Sequence, residues 1–251
     1  MIMTKLTVVI ITHNEEDAIQ RCLDSVKPVA DEIVVVDSLS DDYTAEICRT
    51  NGCKVFSREF DGYGAQKQFG VDQASNNWIL SVDADEVLTK ELQEEINRVK
   101  TDLIGNTGFK IPFSLSYMGK ILKHGGVGHE SHLRLFNRNK GRFTQVPVHE
   151  GVEVDGTVGL LKGKIIHYSY HDLSHQLEKI NKYSSQAAQN FRNKGKSFPK
   201  WWVALKFPAS FFTIYFIKKG FLDGYAGFLW SFLNAIYATA KVAKTIEQDQ
   251  K

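Results

Sequence analysis

The chain has little of what would mark a disulfide-stapled, secreted or membrane-spanning protein. Only three cysteines occur among 251 residues, Cys22, Cys48 and Cys53, without CxxC spacing or a clustered histidine, so neither a disulfide framework nor a zinc site is indicated. They read as small buried hydrophobes. Met1-Ile2-Met3-Thr4-Lys5 runs straight into a strand-like segment, with no basic n-region and apolar h-region, which predicts a reducing, cytoplasmic setting. In the C-terminal tail the longest stretch free of charge, 224–240, has 17 residues and is interrupted by Gly227, Ser231 and Asn234. A spanning helix needs about 20 predominantly apolar residues. No GxGxxG follows the first strand, which argues against a dinucleotide-binding dehydrogenase. Repeats and long low-complexity linkers are also missing.

What is present suits a folded domain with an appendage: 43% hydrophobic and 24% charged residues over a length sufficient for a sizeable core. The net charge of +2 is too small for nucleic-acid binding across the whole surface. That total conceals an asymmetry. Before Lys194 there are 22 basic and 26 acidic residues, and from Lys194 onward 9 and 3. Of the 29 aromatics, 14 fall between Phe198 and Tyr237, interleaved with lysines.

The first segment, Leu6–Thr12 (LTVVIIT), is a β-branched run expected of a strand buried on both faces. Asn14 can cap the helix that follows, in which Ala18, Ile19, Cys22, Leu23 and Val26 recur at helical spacing. A second run, Ile33–Val36, ends at Asp37, and a short helix closing at Gly52 leads to a third strand, Lys54–Ser57. A helix over about 64–74 precedes Trp78–Val82 (WILSV), then Asp83-Ala84-Asp85-Glu86, with Thr89 as cap of the next helix. This alternation predicts an α/β, doubly wound, mostly parallel sheet, whose ligands sit at the carboxyl ends of the strands. Three polar clusters fall there: Thr12-His13-Asn14-Glu15, Asp37, and Asp83 with Asp85. From Gly105 to His167 short strand-like pieces predict a mixed-sheet half over the site: Phe109–Phe113, Leu133–Phe136, Val146–Val154 and Lys164–His167. Beyond His171 the pattern is helical.

Asp83 and Asp85 at a strand end can converge on a hard divalent ion that completes its shell with phosphate and water oxygens, or can belong to a solvated turn. Asp37 can take a base imide N–H or cap the Ser-Asp-Asp turn. Glu150, next to His149, can serve as a general base or as ordinary surface. Arg134, alternating with Leu133 and Leu135, can meet an anionic acceptor or a structural ion pair. His167, His171 and His175 suit helix or core positions, with a third metal ligand also open.

Taken in order, VVIITHNEED, EIVVVDSLSDDYT, WILSVDADE, HLRLFNR, VPVHEGV and GFLDGYAGF resemble family 2 inverting glycosyltransferases of the GT-A fold, in their lipopolysaccharide-core glucosyltransferase-like branch. The resemblance covers nearly the whole chain. It implies a nucleotide-sugar donor, UDP-linked, with Thr12, His13, Asn14 and Glu15 around base and ribose and Asp37 at the base edge. It also implies Asp83 and Ala84 near ribose or metal, Asp85 on Mg²⁺ or Mn²⁺, and Lys67 on the diphosphate. Glu150 matches the base position, with His149 and Arg134 toward the acceptor. Ser38-Leu39 replaces the Asp-Gly common in the family, His13 a frequent Tyr, and Gln68 a frequent Asn of the branch. The resemblance divides the chain into a catalytic domain, 1–170, and a helical region, 171–251. The domain comprises a nucleotide-sugar half, 1–104, and an acceptor half, 105–170.

In the tail, Trp201, Trp202, Phe207, Phe211, Phe212, Tyr215 and Phe216 lie among Lys200, Lys206, Lys218 and Lys219, as in a segment lying in a membrane interface. Packing on the catalytic domain or in an oligomer is the other reading. The expected setting is peripheral, on the inner face of the cell membrane, with a glycan or lipid-linked acceptor. The competing functions are a sugar nucleotidyltransferase, whose basic glycine-rich loop is replaced here by the acidic THNEED, and a catalytically inactive nucleotide-sugar binder on the membrane.

Overall fold

The computed structural model describes residues 4–101, 105–128, 130–144, 151–170 and 172–248. Two compact units emerge, Met1–Phe113 with Glu130–His167, and Ser114–His129 with Tyr168–Lys251.

The first unit is built on a sheet. β1 (Leu6–Thr12), α1 (Glu16–Val26), β2 (Glu32–Asp37), α2 (Thr44–Thr50), β3 (Lys54–Ser57), α3 (Tyr63–Gln73) and β4 (Trp78–Asp83) follow one another. β1 pairs in parallel with both β2 and β4, and β2 with β3, so the order β3-β2-β1-β4 reverses direction at the β1/β4 boundary. β5 (Glu86–Leu88) and α4 (Lys90–Val99) come next, and Thr89 caps α4 by accepting from the Leu92 amide at 3.3 Å. β6 (Asn106–Tyr117) begins here, and its last four residues belong to the second unit.

Every residue of β1 is buried, because helices cover both faces. Leu6, Val8 and Ile10 join one core with Ile19, Cys22, Leu23 and Val26 of α1 and Leu92 and Ile96 of α4. Val9 points the other way, to Val34, Ile79 and Val71 of α3. The strand's two-residue period thus distributes one run between two cores. α3 lies directly on the sheet at Gly70, where a Cβ would come within 2.4 Å of Val9 Cγ1.

The antiparallel part follows β7 (Lys120–Ile121), which belongs to the second unit. β8 (Ser131–Asn137) runs antiparallel to both β4 and β6. β9 (Gly141–Phe143) and β10 (Val152–Val154) form a separate hairpin, β11 (Thr157–Leu160) runs parallel to β6, and β12 (Ile165–His167) pairs with β5. The strand expected over Val146–Val154 is described only as β10, since residues 145–150 lie outside the described residues.

The second unit contains the end of β6, its hairpin partner β7, and the helices α5 (Leu173–Asn193), α6 (Trp202–Phe212) and α7 (Gly224–Gln248). A π-helical turn, Thr213–Ile217, and a 3₁₀ turn, Gly220–Asp223, join α6 to α7. Asp172 caps α5 by accepting from the His175 amide at 2.8 Å. The Tyr117 hydroxyl donates to Gln176 Oε1 at 2.5 Å, and Lys244 Nζ on α7 donates to the Asn181 carbonyl on α5 at 2.8 Å. Asp223 is buried and accepts from the Lys123 and His124 amides at 3.0 and 2.8 Å, fastening the turn before α7 to the loop after β7. Among the described residues no helix is long and apolar enough to cross a membrane.

Candidate functional site

Thr12, Asp37 and Asp83 close three adjacent parallel strands. Thr12 lies beside Asp37 in the β1/β2 register, and Ile11 lies beside Asp83 in the β1/β4 register. They surround the point at which strand order reverses, where open α/β sheets leave a crevice for ligands. Thr12 is buried, and among the described residues its Oγ1 has no hydrogen-bond partner.

The loops after β1 and β2 are tied together. Asp37 Oδ1 accepts from Ser40 Oγ at 2.5 Å and Oδ2 from the Ser40 amide at 3.1 Å. Ser40 Oγ accepts from the Asn14 amide at 2.9 Å, while Asn14 Oδ1 accepts from the Asp41 amide at 3.0 Å. Thr44 Oγ1 and Asp42 Oδ2 take the amides of Glu15 and Glu16 at 2.8 and 3.1 Å. Asn14 therefore does not cap α1 as expected. Glu15 occupies that position, and Asn14 turns into the left-handed region at φ 52° to reach the second loop. Leu39 also adopts φ 60°, a conformation that costs a branched side chain energy and glycine nothing. His13 and Asn14 are exposed, Glu15 is half-buried, and Asp37 holds its loop while a carboxylate keeps lone pairs for further donors.

Beyond β4 the charges are paired. Lys67, nearly buried on α3, approaches Asp83 Oδ1 at 3.0 Å, and Arg134 on β8 approaches Asp83 Oδ2 at 3.3 Å and Glu86 Oε1 at 2.8 Å. Glu86 Oε2 accepts from the Asp83 amide at 2.8 Å, folding the Asp83-Ala84-Asp85-Glu86 turn back on itself. The Arg134 guanidinium also covers the Phe113 ring, 5.1 Å from its centroid. Of the two roles open to Arg134, the structure contains the ion pair. Burial works to raise the pKa of Asp83, but the charges of Lys67 and Arg134 overcome it and hold the carboxyl well below the usual range. Glu86 shares the same guanidinium and lies deeper. Burial pushes its carboxyl up to about 7 despite Arg134, and the negative charge of Asp83 adds to the rise.

Asp85 diverges from Asp83. Its Oδ2 lies 2.9 Å from Nε2 of His167, at the end of β12. Burial disfavours the imidazolium, but the hydrogen bond and charge of Asp85 outweigh it and raise the His167 pKa. The two aspartates thus have separate partners, and no group of three or more His, Cys, Asp or Glu side chains suited to a metal occurs among the described residues. His167 and Glu86 are site residues that sequence reasoning left unassigned. Gln66 is a third: it is buried next to Lys67, its amide donates to Ser38 Oγ at 2.9 Å, and its Oε1 has no partner among the described residues. The only sequence signal for His167 was its position at the end of a strand-like KIIH segment. Ala84 is buried in the turn. His149 and Glu150 lie outside the described residues, as does His171.

The residue pattern and geometry can be set beside known proteins. A family model described as Glycosyl transferase family 2 matches residues 7–151. An uncharacterized glycosyltransferase of Rickettsia typhi is 32% identical over 99% of this chain and 89% of its own length. The lipopolysaccharide core biosynthesis glycosyltransferase LpsC of Rhizobium meliloti is 31% identical over 97% of this chain and 92% of its own. Among solved structures, S. aureus TarS 1–349 in complex with UDP-GlcNAc aligns over 97% of this chain and 89% of that one, at 16% identity and a TM-score of 0.46.

Proposed function

The chain belongs to glycosyl transferase family 2, and from that premise we propose that it moves a sugar from a UDP-linked donor to a hydroxyl of a lipopolysaccharide-core or related cell-envelope glycan, on the cytoplasmic side. The observation that carries the donor reading is the alignment of Thr12, Asp37 and Asp83 at the β1/β4 reversal, with the Thr12 hydroxyl buried and lacking a partner among the described residues. A buried polar atom without a partner costs free energy unless a ligand satisfies it. The acceptor class rests on the likeness to the R. meliloti protein.

In this reading the base and ribose lie against Thr12, His13, Asn14 and Glu15, with Asp37 accepting from the base edge and Ala84 beneath the ribose. Lys67 holds its ammonium toward the diphosphate, fixed in place by Asp83. Asp85, whose carboxylate lies 2.9 Å from the His167 imidazole, would be the group that holds Mg²⁺ or Mn²⁺, while Asp83, two residues earlier, is paired with Lys67 and Arg134. Such a cation would supply charge neutralisation on the leaving diphosphate. Acceptor contacts are assigned to His149 and to Arg134, the latter already paired with Asp83 and Glu86. Glu150 removes the proton of the attacking hydroxyl while the bond from the anomeric carbon to the diphosphate breaks on the opposite side, so the configuration inverts.

The test is a thermal-melting panel of nucleotide sugars with and without Mn²⁺, since a ligand that binds the native state raises its melting temperature. A metal-dependent rise with one UDP-sugar is expected. Asp85→Ala should abolish the metal-dependent part and lower turnover about 100-fold or more, a loss typical of a removed electrostatic stabiliser. No rise with any nucleotide sugar, or full turnover by Asp85→Ala, would refute the reading. Glu150→Gln should bind donor normally and lose turnover when both substrates are saturating.

A further inference from the structure

The segment from α6 to the start of α7 carries apolar side chains on two sides, and the helical unit covers only one of them. Phe207, Phe211 and Tyr215 form a stack, with centroids 6.3 and 5.2 Å apart. Phe228 and Phe232 of α7 meet it edge-on: Phe232 against Phe207 at 5.4 Å, and Phe228 against Phe211 and Tyr215 at 5.8 and 5.9 Å. These three rings, expected from sequence at a membrane interface, are therefore engaged with α7. A second stripe at helical spacing, Trp201, Leu205, Phe212 and Phe216, is 60, 52, 54 and 48% exposed. It continues through the irregular turns as exposed Ile217, Phe221, Leu222 and Tyr225. A helix apolar on both sides needs a second apolar environment.

Charge identifies that environment. Between Lys179 and Ile246 there are eleven Lys and Arg residues and one acid, Asp223. Asp223 is 3% exposed and is turned inward onto the Lys123 and His124 amides. Lys200, Lys218 and Lys219 are exposed and border the apolar stripe. Apolar side chains flanked by cations, with no outward acid between them, match acyl chains beneath anionic headgroups. A second copy would bring the same positive surface against itself. We infer that Trp201, Leu205, Phe212 and Phe216, together with the Ile217–Tyr225 turns, form the surface by which this protein inserts into an anionic bilayer, the lysines taking the lipid phosphates.

Co-sedimentation of the full chain with phosphatidylglycerol/phosphatidylcholine vesicles tests this, with phosphatidylcholine vesicles as the neutral control. Binding to the anionic vesicles is expected, at least about tenfold weaker on neutral vesicles or in about 0.5 M salt. Leu205→Ser/Phe212→Ser/Phe216→Ser should bind at least tenfold more weakly at an unchanged melting temperature, as should Lys218→Glu/Lys219→Glu. If the triple variant does not fold, Ile217→Ser and Leu222→Ser provide the same readout at exposed turn positions. The inference fails if the wild-type chain stays in the supernatant with anionic vesicles, or if the stripe variants bind like wild type. It also fails if sedimentation velocity reveals a dimer that those variants dissolve. Nucleotide-sugar melting shifts should be the same in every variant, so a failure here is distinct from a failure of the donor reading.

Discussion

In the sheet-built unit, Lys67, Arg134 and His167 each lie within 3.3 Å of a carboxylate, whereas the helical unit sets eleven cations between Lys179 and Ile246 against the single inward-facing Asp223. The first arrangement organises charge in advance. Ion pairs hold side chains in position at the strand ends, and a ligand that brings its own charge exchanges partners with groups already placed. The second arrangement is an excess of one sign: Lys179 and Lys244 donate to oxygens of the chain and Lys241 lies over Phe191 and Tyr237, while Lys200, Lys218 and Lys219 are exposed. One unit pairs its charges at the strand ends, and the other carries an excess of a single sign.

The sharpest way to break this contrast is to remove the shared cation of the first unit. Arg134→Met leaves Asp83 and Glu86 facing each other without their guanidinium, and urea unfolding should register a loss of about 3–5 kcal/mol, the range for a buried pair stripped of one partner. A milder test lies at the opposite end of the sheet. Burial works to raise the pKa of Glu32, but hydrogen bonds from Lys54, Thr7 and Ser75 prevail and lower it to about 2. A folded-state pKa below the unfolded 4.5 means the carboxylate's contribution is complete above about pH 4.5 and disappears as the pH falls toward 2. Glu32→Gln should flatten that acid limb, with a loss on the order of 2 kcal/mol at pH 7.

In the helical unit, Asp223→Asn keeps the shape but offers one acceptor oxygen where two amides and His124 Nδ1 are held. The expected cost is about 1–2 kcal/mol, with faster hydrogen exchange at Lys123 and His124. The smallest effect should come from Leu39→Gly. It relieves an exposed leucine at φ 60° and should stabilise the sheet-built unit by about 1 kcal/mol in thermal unfolding, offset in part by the freer unfolded chain. If Leu39→Gly destabilises instead, the leucine side chain contributes more than its exposed position suggests.

The parallel strands β1 and β4 were legible as apolar runs buried nearly throughout, and β1 and β3 fall where the sequence reading put them, although β3 is only half-buried. Thr89 caps α4 as its sequence context implied. Local patterns cannot reveal pairings made across long separations. His167 meets Asp85 across 82 positions, and Arg134 meets Glu86 across 48. The turn after β4 also hid β5, three residues long and stabilised by pairing with β12. Asn14 has the chemistry of a cap, but the loop beyond β2 offers it Ser40 and Asp41, and the tertiary bonds prevail over the local one. The loop after β7 gave only glycine turns to read, and nothing in them announced that Asp223, about a hundred residues later, would hold it.

At Gly70 the helix that bears Lys67 meets the Val9 and Val36 side chains of the sheet with no side chain of its own. A methyl group there would act as a shim one turn away from the ammonium, tilting the helix off Val9 and drawing Lys67 out of register with Asp83. The missing side chain thus works as a depth stop. It sets how far the lysine stands from the crevice, independently of anything that binds, and leaves any variant at position 70 to recalibrate that reach before it can be tolerated.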